Sequence, residues 1–117
     1  MTLKNYPNDP IDRSIREDGQ QREYYVLPDE ERAKGFVRPV RATYLHVGKN
    51  PEMRGHVLIK PDGACGTRTT MGRALAETYA RQPDFYSGTF CVGCGAHFPV
   101  GEEGEFIWEG TTERVGT

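Results

Sequence analysis

The stretch Thr89–Val100, TFCVGCGAHFPV, decides how the rest of the chain is read. Cys91-Val92-Gly93-Cys94-Gly95 has the form of a zinc knuckle, in which two thiolates separated by two residues wrap one tetrahedral ion. Gly93 and Gly95 let the backbone turn sharply, so that N–H groups freed by the turn can point at the sulfurs. His97 follows three residues after Cys94, and Cys65 lies twenty-six residues before Cys91. Cys65, Cys91, Cys94 and His97 are therefore the candidate Zn2+ ligands. His46 and His56 fall on predicted strands, where a histidine is commonly just a core or surface residue. His56 is the alternative fourth ligand, and a water is the remaining one. The choice matters, because four protein ligands make a closed structural site and three plus water make a catalytic one.

Other uses of a Cys-x-x-Cys pair fit poorly. A redox pair sits at a helix N-terminus, where the dipole lowers a thiol pKa, yet Gly95, Pro99 and the β-type residues around them disfavour a helix after Cys94. Haem attachment needs His directly after the second Cys, a place held by Gly95. The zinc deaminase signature needs His-x-Glu, and His46, His56 and His97 are followed two residues on by Gly48, Leu58 and Pro99.

Composition agrees with a domain that needs a metal to hold it together. The chain has 117 residues, 36% of them hydrophobic and 27% charged, with a mean hydropathy of -0.69. That is one small core under much surface. No run approaches the ~18 apolar residues of a spanning helix. The start MTLKNYPNDP carries no apolar signal-peptide core and the cysteine count is odd, so a cytoplasmic domain is expected. Metal binding of roughly 10–16 kcal/mol, available only to the folded form, stabilises such a domain directly.

Outward from the knuckle, the pattern predicts an α+β fold with short antiparallel strands. Residues 1–23 read as a flexible or extended N-terminal arm, charged and without apolar period. Residues 24–117 read as a single zinc-binding domain. Pro28–Gly35 has the order of a short helix, with proline first, acids early, cations late and glycine as the stop. Ala42–Val47 and His56–Lys60 are β-rich and bounded by turn residues. The main helix is expected over about 70–82, where Met71, Leu75 and Tyr79 form an apolar stripe and Arg73, Glu77 and Arg81 line the solvent side. Thr89–Cys91, His97–Val100 and Glu105–Glu109 read as a three-stranded meander around a zinc-knuckle hairpin. Within its last strand Phe106 and Trp108 share one face. Pro99 requires an edge position or a bulge.

Charge is unevenly spread. Residues 35–83 carry a net +5 and residues 84–117 a net -5. Arg38, Arg41, Lys49, Arg54, Lys60, Arg68 and Arg73 make nucleic-acid binding one reading, with Tyr44 or Phe36 available to stack on bases. Pairing of the basic middle with the chain's own acidic tail is the simpler expectation.

Three stretches, GFVRPVRATYLHVG (Gly35–Gly48), CGTRTTMGRALAETYARQPDFYSGTFCVGCGAHFPV (Cys65–Val100) and FIWEGTTERVG (Phe106–Gly116), resemble a family of small, uncharacterised proteins of tailed bacteriophages and prophages. The resemblance leaves the arm unmatched. It implies work in the cytoplasm of a bacterial host, and Cys65, Cys91, Cys94 and His97 all fall on the family's pattern. It names no reaction. No phosphate loop, nucleophile elbow, His-Glu-x-x-His or carboxylate pair occurs in the chain. The leading expectation is a non-enzymatic accessory protein that binds, and thereby inhibits, a host protein such as a defence or regulatory component. Nucleic-acid binding is the alternative. A small zinc hydrolase with Glu102 or Glu103 as base is the third reading, and those two glutamates sit in an expected surface turn.

Overall fold

The computed structural model describes residues 2–117. Its elements in chain order are β1 (Thr2–Asn5), β2 (Glu23–Val26), α1 (Asp29–Arg32), β3 (Thr43–His46), β4 (Glu52–Arg54), β5 (Val57–Lys60), β6 (Arg68–Thr70), α2 (Arg73–Arg81), β7 (Gly88–Cys91), β8 (Ala96–Pro99) and β9 (Phe106–Trp108). They form an α+β arrangement of short strands, nearly all antiparallel, with two helices. Among the described residues no helix is long and apolar enough to cross a membrane.

A three-stranded sheet of order β6-β3-β9 is central, flanked by the hairpins β4–β5 and β7–β8 and by the parallel pair β1–β2. Alternation in β3 buries Tyr44 and His46. Tyr44 meets Phe106 and Trp108 of β9 edge to face, at ring-centroid distances of 5.2 and 6.2 Å, a geometry that favours aromatic pairs. On the other side α2 brings Leu75, Ala76 and Tyr79 to the same core, which Met71, Cys91 and Val115 complete. Leu75 and Tyr79 of the stripe read from the sequence lie on the buried face of α2, and Met71 reaches the same core from just before the helix. The helix begins at Arg73, later than the expected 70, because Arg68–Thr70 pair with β3 as a strand.

The expected meander forms only in its first half. β7 and β8 pair as a hairpin, but β9 joins β3, with Tyr44 opposite Trp108 and His46 opposite Phe106. Pro99 accounts for part of this, since a residue without an N–H at the end of β8 cannot continue a ladder. The aromatic pairing on β3 supplies the rest.

Residues 2–23, expected as an arm without structure of its own, lie against the domain. β1 pairs in parallel with β2, and Leu3 packs on the core. The Tyr6 ring stands 5.3 Å from that of Tyr25 and 5.2 Å from that of Phe85. The segment holds few apolar residues, and tertiary contacts rather than its own composition order it.

The basic middle of the chain meets the acidic tail as expected. Arg41 pairs with Glu113 at 3.1 Å and Arg68 with Glu109 at 2.5 Å. Arg32 joins the two helices, bonding Glu77 of α2 at 3.1 Å.

Candidate metal centre

Three separate segments converge behind the β7–β8 hairpin. Cys91 is the last residue of β7, and Cys94 lies in the turn that follows. The turn closes through the Gly95 N–H, which donates to the Cys91 carbonyl at 2.8 Å, with Gly95 at φ +65°. Gly93 is required for a different reason. A Cβ there would stand 2.6 Å from Thr67 Oγ1 and 3.0 Å from Cys65 Sγ, so the knuckle could not approach the loop that carries Cys65.

That loop is fixed to the end of β3. Gly66 N–H donates to the His46 carbonyl at 2.8 Å, and His46 N–H donates to the Thr67 carbonyl at 3.2 Å. Cys65 is thereby held beside the His46 side chain. His46 Nδ1 lies 3.5 Å from Cys65 Sγ and 3.4 Å from Cys94 Sγ, and Cys65 Sγ lies 3.3 Å from Cys91 Sγ. The ligand atoms of His46, Cys65, Cys91 and Cys94 all fall within 4.8 Å of one another and can hold a metal ion.

The histidine is oriented from behind. His46 Nε2 is 2.9 Å from Glu105 Oε1, and its ring is flanked by Phe98 at 4.4 Å and Phe106 at 4.9 Å. A carboxylate on one ring nitrogen fixes the tautomer that leaves the other nitrogen's lone pair for a metal. Here that nitrogen is Nδ1.

The thiols share their charge unequally. Burial pushes the Cys91 thiol up to about 12, and burial also raises Cys94. Burial works to raise Cys65 too, but hydrogen bonds from the Thr67 hydroxyl and N–H, and then from Cys91 and His46, bring it down to about 6. Three sulfurs this close hold one negative charge between them easily and three only around a cation.

Of the residues expected from the sequence, Cys65, Cys91 and Cys94 come together. His97 does not join them. Phe98 of β8 faces His46, and the strand's alternation turns His97 to the opposite side, where its Nε2 lies 2.6 Å from the Tyr24 hydroxyl. Burial lowers the His97 pKa below its ordinary value. His56 is exposed at the tip of the β4–β5 hairpin, away from the cluster. Glu102 and Glu103 are exposed in the turn before β9. The two residues that spacing alone missed are His46 and Glu105. A signal for His46 existed, since it shares the inward face of β3 with Tyr44, and a buried imidazole requires a partner.

The basic candidates divide into two groups. Arg41 and Arg68 are paired with the tail, Arg73 pairs with Glu77 at 2.9 Å, and Arg38 donates to the Thr117 and Val37 carbonyls. Lys49, Arg54 and Lys60, all in or beside the β4–β5 hairpin, make no salt bridge among the described residues.

The chain matches no protein-family model, no curated protein and no solved structure.

Proposed function

We propose that the protein is a binding module whose fold is held by one structural Zn2+ on His46, Cys65, Cys91 and Cys94. The observation that carries this reading is the four-ligand cluster with Glu105 behind its histidine. Three sulfurs and one imidazole are a donor set that favours zinc. Tetrahedral ligands at zinc bond lengths stand roughly 3.5–3.8 Å apart; His46–Cys65, His46–Cys94 and Cys65–Cys91 stand 3.3–3.5 Å apart, and all four ligand atoms lie within 4.8 Å of one another. Four protein ligands leave no position for a water, which argues for a structural role over hydrolysis. Glu102 and Glu103 do not approach the cluster, and this supports the same choice. The resemblance to small phage proteins makes a protein of a bacterial host the partner class, with inhibition by occupation as the mode of action.

The test is metal stoichiometry together with cobalt substitution. One zinc per chain should survive dialysis. The Co2+ form should show intense tetrahedral bands that do not respond to azide or phosphate. A metal-free folded chain, or bands that shift with added anion, would overturn the reading.

Nucleic-acid binding stays as the second reading because Lys49, Arg54 and Lys60, in and beside one hairpin, make no salt bridge among the described residues. Three phosphate contacts would lower log K against log salt with a slope of about -2.7 on duplex DNA. Anisotropy of a labelled duplex across a salt series measures it.

A further inference from the structure

The thiol cluster is uneven in two respects that metal binding does not require. Cys65 and Cys94 are exposed, and Cys91 is fully buried. Cys65 and Cys91 are in sulfur–sulfur contact at 3.3 Å, whereas Cys94 Sγ has its close contact with His46 Nδ1 at 3.4 Å. Of the two thiols that solvent reaches, Cys65 is therefore the one with a second sulfur against it.

The pair is also held in place to be joined. Cys65 belongs to the loop after β5, and Cys91 ends β7. Two backbone bonds tie that loop to β3, from the Gly66 N–H to the His46 carbonyl and from the His46 N–H to the Thr67 carbonyl. Gly93 closes on it from the knuckle, since a Cβ there would stand 3.0 Å from Cys65 Sγ. Cys65 is thus clamped against the end of β7 and not free to swing away. A disulfide bond is roughly 2.0 Å long. From their 3.3 Å separation the sulfurs need approach by only about 1.3 Å, a movement of two side chains.

We propose that Cys65 is a site of attack by hydroperoxides and that a Cys65–Cys91 disulfide then takes the place of the metal. The inference rests on the reading of the cluster as a zinc site and gives that site its regulation. With hydrogen peroxide, the Cys65 thiolate first attacks one peroxide oxygen. The S–O bond forms, the O–O bond breaks, and the departing oxygen takes a proton and leaves as water. Cys65 becomes a sulfenic acid, oxidised by the two electrons that reduce the peroxide. The Cys91 thiolate then attacks the sulfenic sulfur. The S–S bond forms, the S–O bond breaks, and the hydroxide takes a proton and leaves as a second water. Two thiolates, one peroxide and two protons give one disulfide and two waters.

Disulfide formation withdraws two of the four donors. Cys94 and His46 remain, and two protein ligands do not make a closed tetrahedral site, so the zinc is given up. The connection between the Cys65 loop and β7 survives, because the disulfide joins the same two segments that the metal joined. A dithiol reverses the step by thiol–disulfide exchange. Oxidation therefore replaces one cross-link by another, and the fold outlasts the loss of its metal.

The test treats the zinc-loaded full chain with hydrogen peroxide in the presence of a chromophoric zinc indicator, followed by alkylation and mass mapping. One zinc per chain should be released in step with one disulfide, mapped to Cys65 and Cys91, with Cys94 recovered as the alkylated thiol. Dithiothreitol and zinc should restore the starting form. The oxidised chain should keep a cooperative melting transition that the reduced chain, stripped by a chelator, lacks. Cys65→His retains four donors as a two-cysteine, two-histidine set, and it should stay loaded through the time in which the parent is emptied. A disulfide between Cys91 and Cys94, a disulfide between chains, or zinc release without any disulfide overturns the proposal. So does an oxidised chain that melts like the stripped one. These results come from the parent alone and hold even if Cys65→His binds no zinc; a loaded Cys65→His that empties as fast as the parent overturns the proposal too. Zinc content before the oxidant is added separates the two readings. A chain that starts with one zinc and keeps it under peroxide refutes only the switch, whereas a reduced chain that is folded without zinc refutes the metal site itself.

Discussion

Glu105→Ala tests the metal centre where two assignments of its histidine diverge. In the structure Glu105 Oε1 accepts from His46 Nε2 at 2.9 Å. Its side chain is 23% exposed, and that of His46 is 2% exposed. Removing such a carboxylate typically costs 10- to 100-fold in metal affinity, equivalent to about 1.4–2.7 kcal/mol. With free zinc held well above Kd, the folded form loses that same amount of stabilisation. For a chain of this length, about 4 °C per kcal/mol then gives a fall in Tm of roughly 5–11 °C. Glu105→Gln keeps an acceptor and loses only the charge, so its fall should be smaller. The backbone bonds of Glu105, its N–H to the Pro99 carbonyl and its carbonyl to the N–H groups of Val47 and Gly48, are untouched by either change. Zinc affinity is read by competition with a chromophoric chelator and stability by melting at fixed free zinc. His97→Ala is the counterpart, and it should leave zinc affinity within a factor of two or three. If His97→Ala loses zinc while Glu105→Ala binds like the parent, His46 is not the ligand and the sequence-derived set of Cys65, Cys91, Cys94 and His97 is right.

Cys91→Ser and Cys94→Ser should each lose the metal and unfold the domain, seen as a collapsed melting transition; a variant that keeps the parental Tm would show that the site is not structural. Zinc binding at pH 7.5 should release about two protons, because Cys65 is already ionised while Cys91 and Cys94 are not. Affinity should therefore fall as pH falls, more steeply below about 6 where Cys65 also takes a proton. Calorimetry in buffers of different ionisation enthalpy counts the protons, and a value near zero or three contradicts the order of thiol acidities. Gly19→Ala should release the N-terminal segment without loss of zinc, because its Cβ would stand 1.8 Å from the Gly95 carbonyl oxygen and its φ is +90°. Limited proteolysis within residues 12–22 against zinc content measures both, and an unchanged cleavage rate would show that the close contact does not hold the segment. His97 enters the fold with its pKa depressed by burial, so it contributes stability that is present above the unfolded value near 6.5 and lost as pH falls through the lower folded value. Protection of the Gln21 and Tyr24 amides from exchange should drop over that range in the parent and become independent of pH in His97→Ala.

Local pattern and long-range placement were legible to different degrees. The stripe Met71, Leu75, Tyr79 pointed to the core, its last two residues on the buried face of α2 and Met71 just before it, and Cys91-x-x-Cys94 gave the hairpin, because each is a relation between residues a few positions apart. Cys65 was reachable too, as the one thiol left over. The partner of β9 was not, since nothing near Phe106–Trp108 distinguishes β8 from β3 as its neighbour, and the Tyr44 ring that decides it lies more than sixty residues earlier. The apparent charge separation was legible in a different sense. The tallies of +5 and -5 invited a partner for the basic segment, but Glu113 and Glu109 neutralise Arg41 and Arg68 within the chain.

The histidine shows most clearly why spacing misleads. In a knuckle followed by a strand, the residue three after the second cysteine reaches the metal only if the strand's alternation turns it that way. Phe98 takes that face here because it packs on the His46 ring, and His97 must then point to Tyr24. Placing Phe98 on the side of the thiol cluster and placing His46 beside Cys65 and Cys94 are thus one event, fixed by β9. That strand brings Phe106 against the other side of the His46 ring, and Glu105, the residue before it, reaches Nε2. The pairing that overturned the expected meander is the same pairing that supplies the candidate ligand His46 and its support Glu105. A chain in which β9 lay beside β8 would leave His46 without Glu105 and without its aromatic flank, and a buried imidazole with no partner is a cost of 1–3 kcal/mol that the fold avoids.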